Sequence, residues 1–94
     1  MPEAGNVYHA TAIFSGRVQG VGFRYLTLQL ARGYEVAGYV ENLAGGRVCV
    51  EVEGEEREVA GFLAAIEERM QGYVRQVEKM AGVRVRQFSG FSIH

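Results

Sequence analysis

The run Val7-Tyr8-His9-Ala10-Thr11-Ala12-Ile13-Phe14, then Ser15-Gly16-Arg17-Val18-Gln19-Gly20-Val21-Gly22, then Phe23-Arg24-Tyr25-Leu26, decides the fold. From Val7 to Phe14 the chain alternates. Tyr8, Ala10, Ala12 and Phe14 fall on one face and His9, Thr11 and Ile13 on the other, which predicts a strand. The glycines end the alternation. From Phe23 to about Arg32 the apolar residues Phe23, Leu26, Leu30 and Tyr34 recur every three or four positions, the spacing of a helix. Gly33 is placed to stop that helix.

Outward from this unit, Val36 to Leu43 returns to strand character. Ala44-Gly45-Gly46 offers a turn, and Arg47 to Glu53 alternates again with Val48, Val50 and Val52 on one face, so a hairpin is predicted. Glu55 to about Gln71 carries the helical stripe Val59, Phe62, Leu63, Ile66 and Met70. Glu55, Glu56 and Glu58 stand in its first turn, where the helix dipole favours negative charge. Val74 to Met80 reads as a fourth strand and Phe88 to Ile93 as a short last one. The order β-α-β-β-α-β plus a short extra strand is that of an α+β, ferredoxin-like split βαβ sandwich. It predicts an antiparallel sheet with both helices on one face. One domain is expected over residues 1–94.

Composition narrows the chemistry. The chain has 94 residues, 48% of them apolar, and a formal net charge of −1. Nucleic acid and anionic membranes call for a basic surface, so neither is expected as a partner. The middle of the third strand, Val48-Cys49-Val50-Glu51-Val52, also lacks the exposed aromatics of a nucleic-acid-binding sheet. A lone cysteine, Cys49, makes no internal disulfide and no paired-cysteine metal site; its place in an alternating run points to packing. Met1 to Asn6 shows no basic, apolar leader, and no window reaches the ~18–20 apolar residues of a membrane helix. A cytoplasmic monomer is the expectation.

The chemistry concentrates in Gly16 to Arg24. A glycine-rich loop between a strand and a helix brings unpaired N–H groups and partial positive charge to one point, a natural anion site. Gly20 and Gly22 let consecutive amides turn inward as a nest. Arg24 adds a planar guanidinium able to hold two phosphate oxygens. The loop lacks the lysine and Ser/Thr of a nucleotide-binding P-loop and is not a dinucleotide fingerprint. In the split βαβ order the first and second strands run parallel with the third between them. The loop and Asn42, at the end of strand two, therefore share a sheet edge, roughly 9–10 Å apart, with room for a phosphate and a water. A loop whose glycines merely turn the chain, and an asparagine that merely starts a turn, stand beside this reading.

Together these residues resemble the acylphosphatase family. Its first motif, Gly-x-Val-Gln-Gly-Val-x-Phe-Arg, matches Gly16 to Arg24 at every fixed position. Gly38-Tyr39-Val40-Glu41-Asn42, then Gly46, Val48 and Gly54, is similar to the second, and the likeness runs to Phe88-Ser89-Gly90-Phe91-Ser92-Ile93. The resemblance implies hydrolysis of acyl phosphates to a carboxylate and inorganic phosphate, with no metal, no cofactor and no nucleophilic side chain. It implies that Arg24 and the amides of Val18, Gln19, Gly20, Val21 and Gly22 hold the phosphate, and that Asn42 orients the water. No stretch reads as a pocket for the acyl group. Two departures stand out: Glu41 takes a place where a basic or amide residue is commoner, and Gln71-Gly72-Tyr73 lacks a proline. Strand alternation turns Glu41 and Asn42 to opposite faces.

Thr27, one turn beyond Arg24, is a candidate supporting residue or a packing one. His9 and His94 are read as lying away from the loop, and Glu51, Glu53, Glu55 and Glu56 as solvated surface. The principal alternative is a non-enzymatic phosphate-, ligand- or partner-binding module that keeps the acylphosphatase fold. A narrower one is the carbamoyl-phosphate-handling domain of the far longer hydrogenase maturation proteins.

Overall fold

The computed structural model describes residues 5–94. Residues 1–4, on which most of the leader reading rests, lie outside the described residues. The elements are β1 (Asn6–Gly16), α1 (Phe23–Ala31), β2 (Val36–Asn42), a single 3-10 turn (Ala44–Gly46), β3 (Val48–Gly54), α2 (Glu56–Arg69), β4 (Val74–Val85) and β5 (Phe91–Ile93). The sheet order is β4-β1-β3-β2-β5. β1 pairs antiparallel with β3 and β4, and β3 antiparallel with β2, so β1 and β2 run parallel on either side of β3 as expected.

Three expectations need correction. The sheet is mixed, because β5 pairs parallel to β2 in the register Gly38↔Phe91 and Val40↔Ile93. The last strand adds to the outer edge of β2, and it begins at Phe91 instead of Phe88. β4 runs to Val85, not Met80. The glycine at 82 interrupts its apolar pattern, but β1 supplies partners from Gly16↔Val74 to Asn6↔Val85, with one register shift between Ser15 and Gly16. Tertiary pairing overrides the local signal.

One face of the sheet is covered by both helices. Ala10, Ala12 and Phe14 of β1, Val40 of β2, and Val48, Val50 and Val52 of β3 meet Phe23, Val59, Phe62, Leu63 and Ile66 from the helices. These alternate strand residues are buried because their period of two keeps them all on the covered side. On α1 the most deeply buried row is Phe23, Thr27 and Ala31, four apart, with Leu26 and Leu30 at its flank. Phe14 packs against Phe23 with ring centroids 5.1 Å apart, and Phe62 against Phe91 at 5.3 Å. The second contact docks β5 under α2. Gly38 marks the tightest strand approach, since a Cβ there would lie 1.9 Å from the Glu51 carbonyl oxygen. No helix among the described residues is long and apolar enough to cross a membrane.

Candidate active site

The loop between β1 and α1 folds inward over the core on Val18, whose side chain is fully buried. Gly20 (φ +75°) and Gly22 (φ +82°) hold left-handed conformations that residues with a Cβ rarely adopt. A Cβ at either would meet nothing within 4 Å, so bare main chain faces open space there. Gly22 is the N-cap of α1 and offers no side chain to the first turn; the first helical bond runs from the Leu26 N–H to the Gly22 carbonyl. The N–H groups of Phe23, Arg24 and Tyr25 are left without helical acceptors, beside the positive end of the helix dipole.

A cavity of about 230 Å³ opens at this point. Val18, Gly20, Gly22 and Phe23 line it from the loop and helix start, Arg24 and Tyr25 from the first turn, Asn42 from β2 and Ile93 from β5. The residues singled out in sequence thus meet: Arg24 and Asn42, distant along the chain, face the same space. Among the described residues Arg24 is the only charged side chain of the lining. It donates from Nη1 to the main-chain oxygen of His94 at 2.9 Å. Four of its five N–H donors remain for a ligand.

Gln19 and Val21 do not line the cavity. Val21 packs its side chain against the core. Gln19 reaches away from the cavity and donates from Nε2 to the carbonyls of Leu43 and Arg47, at 2.8 Å each. The Arg47 carbonyl also accepts the Leu43 N–H at 2.8 Å. One side chain therefore fastens the loop to the turn that follows Asn42. Thr27 gives its hydroxyl to the Phe23 carbonyl at 2.9 Å and is fully buried, a packing role that leaves no donor for a ligand.

His94 is not away from the loop, as its terminal position had implied. β5 carries it across the sheet edge: its N–H bonds the Val40 carbonyl at 2.8 Å, and its oxygen takes the Arg24 guanidinium. Its ring stacks on Tyr39, 4.5 Å between centroids and 3° from parallel. Contacts between residues so far apart in sequence leave no local pattern to find.

The uncovered sheet face corrects the reading of the acidic residues. Glu51 accepts from Tyr39 Oη at 2.8 Å and from Arg84 Nη2 at 3.2 Å, and lies 3.2 Å from His9 Nε2. Burial alone would raise the Glu51 carboxyl, but the bonds from Tyr39, His9 and Arg84 outweigh it and hold the group below the usual range. Burial, then the bond to Glu51, pushes the Tyr39 hydroxyl far above its ordinary value. Glu53 is fully buried and accepts the N–H groups of Gln87 and Phe88, pinning the connection that leads to β5. His9 keeps a structural place. Cys49 is buried with its thiol pushed up, chiefly by burial and then by Glu41. Glu41 pairs with Cys49 in register, so its carboxylate belongs to this face and not to the cavity side. Among the described residues no group of three or more His, Cys, Asp or Glu is placed to hold a metal.

Comparison with known proteins agrees with this architecture. The acylphosphatase family model matches residues 10–93. An acylphosphatase of Archaeoglobus fulgidus is 52% identical over 52 residues, 55% of this chain and 58% of the relative. The match thus spans little more than half of that relative's length. One from Methanospirillum hungatei is 37% identical over 86% of this chain and 87% of the relative. The crystal structure of acylphosphatase from Bacillus subtilis superposes with a TM-score of 0.85 at 32% identity, covering 93% of this chain and 98% of that one. A full-length HypF structure matches all of this chain with 12% of its own length, at a TM-score of 0.76 and 28% identity. The chain belongs to the acylphosphatase family of hydrolases.

Proposed function

We propose that this member of the acylphosphatase family hydrolyses acyl phosphates, with Arg24 and the loop and first-turn amides holding the phosphoryl group and Asn42 orienting the attacking water. The observation that carries the reading is the meeting of Arg24, the bare N-terminus of α1 and Asn42 on one cavity. Water oxygen attacks phosphorus and the bond from phosphorus to the acyl oxygen breaks. The carboxylate leaves with the electron pair. A carboxylate is a good leaving group, so protonating it is unnecessary and the site needs only to position and to neutralise charge. In a loose transition state the charge spreads over the equatorial oxygens, where the guanidinium and the amides sit. The same reading takes the protein as a metal-independent cytoplasmic monomer, supported by an unpaired cysteine and the absence of metal-ligand spacing in the sequence.

The test is phosphate release from benzoyl phosphate beside titration with inorganic phosphate. Arg24→Ala should lower kcat/KM by about 100-fold or more and weaken phosphate binding. Asn42→Ala should lower kcat by a similar factor while phosphate affinity changes by less than about threefold. Near-normal turnover in Arg24→Ala would sink the assignment. Phosphate binding without turnover in the unsubstituted protein would favour the non-enzymatic module.

A further inference from the structure

We infer that Tyr25 and Ile93 form a subsite for the acyl group that favours acyl phosphates with an apolar acyl chain or ring. The inference rests on the hydrolytic reading above and names its substrate class. Tyr25 is 64% exposed and Ile93 37%, two of the few large apolar side chains of the described residues left open to solvent. Both line the cavity that holds Arg24 and Asn42. They come from different elements, the first turn of α1 and the end of β5, and converge on one opening.

The direction of Ile93 follows from its strand. Phe91, two residues earlier, packs on Phe62 of α2, so Ile93 faces the same helix side. Ile93 is level with Val40 of β2, and Asn42 lies two residues further along that strand on the same face. The side chain therefore sits next to the cavity with less core to cover it than Phe91 has. Tyr25 follows Arg24 directly and presents a large amphipathic ring whose apolar body can lie against a ligand while its hydroxyl stays wet.

Charge decides what the subsite accepts. Among the described residues Arg24 is the only charged side chain lining the cavity, and in the hydrolytic reading the phosphoryl group engages it. No acidic side chain of the described residues lines the cavity to pair with an ammonium, while an apolar acyl group would cover two exposed side chains. A phosphoryl group seated at the N-terminus of α1 leaves its acyl substituent at the mouth, where these two residues stand.

The experiment compares kcat/KM for benzoyl, acetyl and carbamoyl phosphate. Tyr25→Ser and Ile93→Ser should each reduce the benzoyl-to-acetyl ratio, and the double variant should reduce it about tenfold, or about 1.4 kcal/mol at 25 °C. Tyr25→Phe should keep the ratio within about twofold. Met80→Ser, at a residue 67% exposed on β4 and outside the cavity, serves as the control that leaves the ratio unchanged. Carbamoyl phosphate, small and polar, should respond like acetyl phosphate. An unchanged ratio in the folded double variant, checked by thermal unfolding, overturns the subsite. Failure of the unsubstituted protein to hydrolyse any of the three removes the hydrolytic reading itself, and the subsite with it.

Discussion

Replacing Gln19 with leucine tests whether the loop proposed to hold phosphate is pre-shaped by its clamp to the neighbouring turn. The substitution keeps the side chain's bulk and deletes two hydrogen bonds of 2.8 Å, to the carbonyls of Leu43 and Arg47. A typical intramolecular bond contributes about 0.5–1.5 kcal/mol net. Both carbonyls are close enough to solvent to be rehydrated, and that of Arg47 keeps the Leu43 N–H. The lower part of the range applies, for a combined loss of about 1–1.5 kcal/mol. If the clamp holds the loop in its binding shape, this loss appears as a smaller binding-competent population. The inorganic phosphate Kd, measured by calorimetric titration, should rise roughly five- to tenfold. Amide exchange over residues 17–22 should quicken in parallel, and the drop in global stability should be smaller than the change at the loop. An unchanged phosphate Kd with unchanged loop exchange would refute the clamp, whatever happened to the melting temperature.

Two further outcomes concern the scaffold. Glu51 has a folded pKa held below its unfolded value, so its contribution to stability is complete above the ordinary carboxylate range and fades as pH falls through the folded value. Glu51→Gln should therefore be less stable than the parent at neutral pH, with the gap narrowing toward acid; a gap of constant size in denaturant titrations at several pH values would contradict this. Gly38→Ala forces a Cβ to within 1.9 Å of the Glu51 carbonyl and 2.9 Å of the Val52 Cα, which side-chain adjustment cannot relieve. A loss of about 3 kcal/mol or more is expected from chemical denaturation midpoints, and a loss below about 1 kcal/mol would show that the two strands separate easily.

What was legible in the sequence was whatever repeats locally. Tyr8 to Phe14 and Val48 to Val52 alternate because each has one face on the core, and the stripe from Val59 to Met70 follows the helical period for the same reason. The strand-to-helix loop was legible because glycines at 20 and 22 break the alternation, and both take the left-handed conformations that suit glycine. Gln19 was placed in the loop correctly, but its side chain answers to Leu43 and Arg47, and no spacing announces that. Glu53 looked like one member of an exposed alternating series. Its burial depends on the amides at 87 and 88 arriving from another part of the chain. The parallel docking of β5, and with it Ile93 at the cavity and the His94 oxygen on Arg24, was hidden for the same reason: a three-residue strand has too little pattern to declare its partner.

That late strand has a consequence for how the cavity is assembled. The oxygen that takes the Arg24 guanidinium is 70 positions further along the chain, and a wall of the cavity comes from the residue before it. Contacts of such long range close loops that are entropically costly and form slowly. During synthesis the glycine-rich loop, both helices and four strands can be in place while Arg24 still lacks its tether. The tether of Arg24 then belongs to the topology that includes β5, and its recovery on refolding marks the docking of that strand.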